Sequence, residues 1–123
     1  MGHVLVVDDN IHNVKLLEAR LQVAAYAVET ASSGPEALAK AAASPPDLVL
    51  LDVMMPGMDG YEVCRRLRGD PATARLPVVL VTALDGEGDK AAGREAGADA
   101  FLTKPAPDDQ LFPTMKRLLE RGA

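Results

Sequence analysis

Short, mostly apolar segments alternate along this chain with longer segments in which apolar residues recur every three or four positions. The short segments are rich in Val and Leu and are typical of β-strands buried in a sheet. They cover residues 3–7, 26–30, 48–51, 78–81 and 100–102. The longer segments have the spacing of amphipathic helices, which bury one face and expose the other. They cover residues 11–24, 35–43, 61–68, 88–96 and 107–120.

The apolar stripe of each helix predicts which side chains face the core. Arg65, Arg66 and Arg68 are expected to lie outside the stripe of the third helix. The fourth helix has only alanines on its stripe and contains Gly88 and Gly93, and each internal glycine costs about 1 kcal/mol relative to alanine. We therefore predict that it is the least stable helix. The other predicted inner-face residues are Ile11, Val14, Leu17, Leu21 and Ala24, then Tyr61, Cys64 and Leu67, and finally Leu111, Met115, Leu118 and Leu119.

The repeated strand–helix order predicts one α/β domain over residues 1–123. Continuous apolar strands separated by helices form a parallel sheet that is covered on both faces, and right-handed crossovers bring all strand carboxyl ends to one edge. We predict a three-layer α/β/α sandwich with five parallel strands in the flavodoxin-like order 2-1-3-4-5. In such a sheet ligands bind outside the carboxyl ends, near strands 1 and 3.

Composition narrows the function classes. The 123 residues are 48% hydrophobic and 25% charged, which is typical of a globular protein, and the net charge of −5 argues against a nucleic-acid partner. No apolar run is long enough to span a bilayer, and the first residues do not form a signal peptide. A single cysteine, Cys64, offers neither an internal disulfide nor a cysteine metal site. We expect a cytoplasmic protein with no membrane partner.

Polar side chains follow four of the predicted strands. Asp8 and Asp9 follow the first strand, Asp52 the third, Thr82 the fourth and Lys104 the fifth. Taken singly, each has a simpler explanation: the acid pair could cap a helix, Thr82 could end a strand and Lys104 could be a surface lysine. The predicted strand order brings all of them to one edge, which favours a functional site.

Clustered carboxylates repel one another unless a cation lies between them. Mg²⁺ is the cation that this set favours, because it prefers oxygen ligands and the chain has no paired His or Cys ligands for zinc. A metal with few protein ligands commonly faces a phosphate group. Asp52 would then act as a carboxylate nucleophile that takes up a phosphoryl group, with Lys104 neutralising the phosphoryl oxygens.

Four motifs carry a resemblance to a known family. They are Val6-Val7-Asp8-Asp9-Asn10, the segment from Leu51 to Gly60 (LDVMMPGMDG), Val81-Thr82-Ala83 and Leu102-Thr103-Lys104-Pro105. In this order and on these strands, they resemble the receiver domain of two-component response regulators, and the similarity extends over essentially the whole chain. The segments 52–60 and 82–86 look most like the first receivers of diguanylate-cyclase response regulators.

The resemblance implies a role for each site residue. Asp52 is the implied phosphoacceptor and Asp9 the implied Mg²⁺ ligand, while Asp8 acts on the metal mainly through water. The remaining implied roles are a metal bond from the main-chain carbonyl of Met54, a switch hydroxyl on Thr82, a phosphate-pairing ammonium on Lys104, an aromatic switch at Phe101 and a cis peptide bond at Lys104-Pro105.

The implied function is a phosphorelay receiver. Asp52 would receive a phosphoryl group from a sensor histidine kinase or a histidine phosphotransferase. The fourth helix, fifth strand and fifth helix would form the output face, through which two copies of the chain could also form a homodimer. Such a domain is not an enzyme beyond catalysing its own phosphoryl acceptance and loss. Met54 and Leu84 are apolar at positions that flank the expected path of the hydrolytic water, which predicts a long-lived phosphoryl group.

Three alternatives remain. An adaptor could keep the fold without being phosphorylated, although the complete set of acids, hydroxyl and lysine argues against it. A phosphatase of the haloacid dehalogenase type needs a second acid two residues after the nucleophile, where this chain has Met54. A flavodoxin needs a phosphate-binding loop after the first strand, where this chain has acids.

Overall fold

The computed structural model describes residues 2–122 and contains five strands and five helices in strict alternation. All ten elements lie within one or two residues of their predicted bounds. The strands are β1 (His3–Val7), β2 (Ala27–Ala31), β3 (Leu48–Leu51), β4 (Val78–Thr82) and β5 (Ala100–Thr103). The helices are α1 (Ile11–Val23), α2 (Gly34–Ala43), α3 (Gly60–Gly69), α4 (Glu87–Ala96) and α5 (Asp108–Gly122).

The five strands form one parallel sheet in the order β2-β1-β3-β4-β5, which confirms the predicted topology. In the register of the central pair, Val7 lies opposite Leu51. Asp8 and Asp52 are the next residues of the two strands and therefore leave the sheet side by side. This adjacency follows from the order of the strands, because β1 and β3 are distant in sequence.

Helices cover both faces of the sheet. Alternate residues of β1 divide between two cores: Leu5 and Val7 face α2, α3 and α4, while Val4 and Val6 face α1 and α5. Every residue of β3 and β4 is buried, and so is every residue of β1 after His3. These three central strands are therefore almost completely inaccessible to solvent. The result is the predicted α/β/α sandwich, with a rigid sheet from which the polar strand ends project.

Two predictions about helix faces are wrong. Ile11, expected on the inner face of α1, is 58% exposed because it is the first helical residue and lies beyond the edge of the sheet. Arg68, expected outside, has a side chain that is only 23% exposed, because its guanidinium donates to the carbonyls of Ala74, Leu76 and Gly97 and pairs with Asp99. A long side chain at the margin of a stripe can satisfy polar groups beneath it.

Candidate functional site

Asp8, Asp9 and Asp52 converge at the carboxyl edge of the sheet, as the strand order predicts. Each offers a carboxylate oxygen, and the three oxygens lie within 4.8 Å of one another. Asp8 and Asp52 are buried, whereas Asp9 is exposed. The main-chain amide of Asp52 donates to the carbonyl of Val7 at 2.9 Å, which ties the start of the β3–α3 loop to the end of β1.

Asn10, and not Asp8 or Asp9, is the residue that caps α1. Its side-chain oxygen accepts hydrogen bonds from the amides of His12 and Asn13, so Asn10 caps α1. Asp8 accepts from the amide of Asn10 at 2.9 Å, which orients its carboxylate without placing it at the helix end. The helix-cap alternative for the acid pair is therefore wrong, and both acids remain available to the cleft.

The ammonium group of Lys104 is the positive charge closest to these acids. Its Nζ lies 2.7 Å from Asp8 Oδ2 and 3.4 Å from Asp52 Oδ2. Its main-chain amide donates to the carbonyl of Thr82 at 2.7 Å, so the last residue of β4 is held to the residue that follows β5. The Lys104-Pro105 peptide bond is cis, as the resemblance implied.

The surroundings of Asp52 raise the pKa of its carboxyl group. Burial raises the pKa of its carboxyl, the ammonium of Lys104 lowers it, and the nearby Asp8 raises it again. The amide of Met54 and the hydroxyl of Thr82 are close enough to lower this pKa as well, but the net direction is upward. The carboxylate form of Asp52 therefore has less compensating positive charge than it would need in this environment.

Two glycines, Gly57 and Gly60, determine the path of the loop after Asp52. Gly57, with φ of 79°, follows Pro56 and supplies the left-handed residue of the turn there. Gly60 begins α3 directly against the loop: its amide donates to the carbonyl of Val53, and a Cβ would lie 2.7 Å from Val53 Cα. In the sequence, Gly60 stands out only as part of the motif from Leu51 to Gly60. A glycine in the first turn of a helix, where it is disfavoured, was the available signal.

Thr82 and Phe101, the predicted switch residues, lie at the end of β4 and on β5. Thr82 is fully buried at the end of β4, and its Oγ1 accepts from the amide of Leu84 at 3.4 Å. Phe101 lies half-buried on β5, opposite Leu80, and its ring is covered by Gly93 of α4. A Cβ at Gly93 would lie 3.1 Å from that ring, so the helix rests directly on Phe101.

The donor set fits Mg²⁺. Three carboxylates with oxygens in mutual reach, two of them buried, provide the hard oxygen ligands that this ion takes, while the exposure of Asp9 leaves one side open to water. Met54 follows in the loop with its side chain 57% exposed, and its amide donates to Asp52 Oδ1 at 3.4 Å. The metal bond from its carbonyl remains a prediction.

The fold and the site together define an α/β domain with an acidic cleft and a lysine at the carboxyl edge of a five-stranded parallel sheet. Residues 4–116 match the response regulator receiver domain family. The chain therefore belongs to this family, which confirms the resemblance read from its motifs.

Individual relatives of the chain are also response regulators or receiver domains. The chain is 58% identical over 117 residues to response regulator PleD of Caulobacter vibrioides, covering 95% of this chain and 26% of the relative. It is similar in structure to chemotaxis protein CheY4 of Vibrio cholerae, with a TM-score of 0.90, 36% identity and coverage of 96% and 98%. The receiver domain of a sensor histidine kinase from Pseudomonas aeruginosa, solved with magnesium coordinated in its active-site cleft, has a TM-score of 0.90, 29% identity and coverage of 97% and 98%.

The length of the match differs between relatives. The chain spans about a quarter of PleD, whereas it covers nearly all of the solved receiver chains. Across residues 2–122, the structure has no helix that is both long enough and apolar enough to cross a membrane.

Proposed function

We propose that this receiver domain accepts a phosphoryl group on Asp52. The observation that carries the proposal is a buried carboxylate with raised pKa that lies beside Asp8, in a three-carboxylate cluster with Asp9, and 3.4 Å from the ammonium of Lys104. The charged form of Asp52 is costly in this arrangement, and a cation that enters the cleft lowers that cost.

The chemical step uses the side chains already in the cleft. An oxygen of Asp52 attacks the phosphorus of a phosphohistidine on the donor, the P–N bond breaks, and its electron pair returns to the imidazole. The product is an acyl phosphate on Asp52. Lys104 then pairs with a phosphoryl oxygen instead of with Asp8, and the hydroxyl of Thr82 donates to another.

Asp8, Asp9 and Asp52 would hold Mg²⁺, together with the main-chain carbonyl of Met54. Support comes from the donor set itself and from the related receiver that was solved with magnesium in its cleft. When bound, the ion neutralises charge on the phosphoryl oxygens in the transition state. The exposed Asp9 would bind the ion directly, and the buried Asp8 would act on it mainly through water.

The response to phosphorylation would travel from Thr82 to the face formed by α4, β5 and α5. Movement of Thr82 towards the phosphoryl group pulls the loop that leads into α4, and Phe101 moves beneath this helix. The same face would bind an output partner or a second copy of the chain. Hydrogen exchange of residues 84–96, with and without a phosphoryl mimic, tests this: equal exchange in both states would contradict it.

A protein donor suits the surroundings of the cleft. Ile11 and Met54, each two residues after an acid of the site, are 58% and 57% exposed, and Leu16, which is 64% exposed on α1, lines the same cavity as Asp8 and Asp52. Such apolar side chains favour contact with a sensor histidine kinase or a histidine phosphotransferase. We place the domain in the cytoplasm and assign it no catalysis beyond its own phosphoryl acceptance and loss. The 58% identity with PleD supports the first-receiver assignment.

Intact mass after incubation with acetyl phosphate and Mg²⁺ tests the proposal. We expect one phosphoryl adduct that survives acid and is lost in base. Asp52→Asn removes the acceptor and should show no adduct, whereas Asp47→Asn, which changes an acid at the opposite edge of the sheet, should behave like the wild type. An unmodified wild type would contradict the proposal and favour the adaptor alternative.

A further inference from the structure

Helix α4 is fastened to α3 at two points. Near its start, the hydroxyl of Tyr61 donates to the main-chain carbonyl of Asp89 at 2.9 Å. Just after its end, Nε of Arg68 donates to the carbonyl of Gly97 at 3.0 Å. Tyr61 and Arg68 are seven residues apart on α3, which is two helical turns, so they lie on one face of that helix.

The two attachments differ greatly in strength. The guanidinium of Arg68 also donates to the carbonyls of Ala74 and Leu76 and pairs with Asp99 at 2.9 Å, and its stem packs against Gly97. The carboxyl end of α4 is therefore fixed by a half-buried network that would be costly to break.

The amino end of α4 is held much more weakly. Gly86 caps it without a side chain, and Asp89 uses its carboxylate locally, accepting from the amide of Gly86 at 3.1 Å. Within residues 2–122, Tyr61 makes the one side-chain hydrogen bond that joins the first turn of α4 to another element. This end can therefore be released by the loss of a single neutral hydrogen bond.

The hydrogen bond from Tyr61 to Asp89 links the segment that follows Asp52 to the segment that follows Thr82. Tyr61 follows Gly60, which is packed against the main chain of the loop after Asp52. Asp89 belongs to the segment that leaves Thr82, and only residues 83–86 separate the end of β4 from α4. A change in the separation of Asp52 and Thr82 must therefore act on the Tyr61–Asp89 hydrogen bond or deform a four-residue loop.

We propose that Tyr61 is a positioning residue of the switch: its hydroxyl holds the first turn of α4 in the unphosphorylated arrangement and releases it when Thr82 moves towards the phosphoryl group. The helix then pivots about its fixed carboxyl end at Arg68 and Gly97. This inference rests on the proposed function, and it adds that a residue outside the acidic cleft sets how readily the site is activated.

Thermodynamic linkage gives the expected sign. A bond present only in the inactive arrangement stabilises that arrangement, so its removal shifts the population towards the active one and tightens binding of a phosphoryl analogue. If Tyr61 had only a structural role, its removal would leave that affinity unchanged or weaken it. The ring packs against the core on α3, so Tyr61→Phe removes the hydroxyl and keeps the apolar contact.

The test titrates beryllofluoride into the protein at saturating Mg²⁺, by calorimetry, and measures amide hydrogen exchange of residues 84–96. We expect Tyr61→Phe to bind beryllofluoride about threefold to tenfold more tightly than the wild type. Without the analogue, exchange near the amino end of α4 should be faster in the variant, and with it the two proteins should exchange alike. Tyr26→Phe, which changes the other tyrosine on the far side of the sheet, should match the wild type throughout.

Two results would overturn the inference, and they are distinguishable. If beryllofluoride binds the wild type and Tyr61→Phe equally, or binds the variant more weakly, Tyr61 does not restrain the switch, while the proposed function stands. If beryllofluoride binds neither protein, the proposed function fails and the inference fails with it.

Discussion

The ammonium of Lys104 lies closer to Asp8 than to Asp52, the proposed phosphoacceptor: Nζ is 2.7 Å from Asp8 Oδ2 and 3.4 Å from Asp52 Oδ2. Lys104 therefore partly compensates the charge that a metal ion would otherwise neutralise. It is also the largest influence that lowers the pKa of Asp52. Lysine and cation should thus compete for the same carboxylates.

We expect Lys104→Met to bind Mg²⁺ about tenfold more tightly than the wild type at low ionic strength, because removal of the ammonium leaves the three carboxylates without internal compensation. Phosphoryl acceptance should fall in the same variant, since the phosphoryl oxygens lose their cation. Calorimetric titration with Mg²⁺ and intact mass after acetyl phosphate measure the two effects. Lys116→Met, at an exposed position on α5, is the control, and weaker Mg²⁺ binding by Lys104→Met would contradict the prediction.

Gly60 is expected to tolerate no side chain. A Cβ there would meet the main chain of Asp52 and Val53, so Gly60→Ala should lower the free energy of unfolding by at least about 2 kcal/mol and displace the Asp52 loop. Gly88→Ala is the matched control, because a Cβ at Gly88 meets nothing within 4 Å, and it should stabilise α4 by about 0.5–1 kcal/mol. Urea unfolding measures both, and equal stability of the two variants would contradict this reading of Gly60.

Glu36 should contribute to stability above pH 4.5 and not in strong acid. Its carboxylate accepts from the amide and hydroxyl of Ser32 and pairs with Lys40 at 3.0 Å. The amide of Ser32, followed by Lys40 and the Ser32 hydroxyl, lowers the pKa of Glu36 from 4.5 to about 2. Because the folded pKa lies below the unfolded one, the stabilisation is complete above pH 4.5 and is lost as the pH falls towards 2.

Glu36→Gln should therefore lower the free energy of unfolding by about 0.5–1 kcal/mol at pH 7, since much of the interaction is screened by solvent. The difference from the wild type should shrink as the pH is lowered through the range from about 4.5 to about 2. Urea unfolding at several pH values gives this comparison. Glu95→Gln, at an exposed position of α4, controls for loss of charge, and a difference that grows in acid would refute the assignment.

Met54 is predicted to prolong the life of the phosphoryl group. Its exposed side chain cannot donate a hydrogen bond to water that approaches Asp52, so Met54→Asn should lose the phosphoryl group about threefold faster, a barrier change of about 0.65 kcal/mol. The decay of the intact-mass adduct after removal of acetyl phosphate measures this rate. Met58→Asn, in the same loop but packed against the core, reports general disturbance of the loop. Faster loss from the wild type than from Met54→Asn would refute the prediction.

Much of the fold could be predicted because strand and helix periods are local. Leu48 to Leu51 are buried on both faces, as a continuous apolar run requires, and this burial is a property of the parallel sheet. The strand order then determined that Asp8, Asp9 and Asp52 would meet. That result combined the rules of parallel crossovers with the flavodoxin-like order expected of a chain this short, and the four motifs were sufficient to name the family.

Contacts between helices could not be predicted from local periodicity. They depend on the distance and the rotation between elements, which no local sequence pattern specifies. The side chain of Arg68 is partly buried, where it donates to the carbonyls of Gly97 and Leu76, and Ile11 is exposed because α1 begins beyond the edge of the sheet. The hydrogen bond from Tyr61 to Asp89 belongs to the same class.

The sequence by itself determined the elements and the group of polar residues at the strand ends, because both follow from periodicity and strand connection, and the flavodoxin-like order predicted which of these residues are neighbours. Only the tertiary structure decided how the charges pair, with Lys104 on Asp8 and Asn10 as the helix cap, and how α4 is held. The pairing of Lys104 depends on a difference of less than 1 Å between its distances to two acids from distant parts of the chain, and only packing determines such distances.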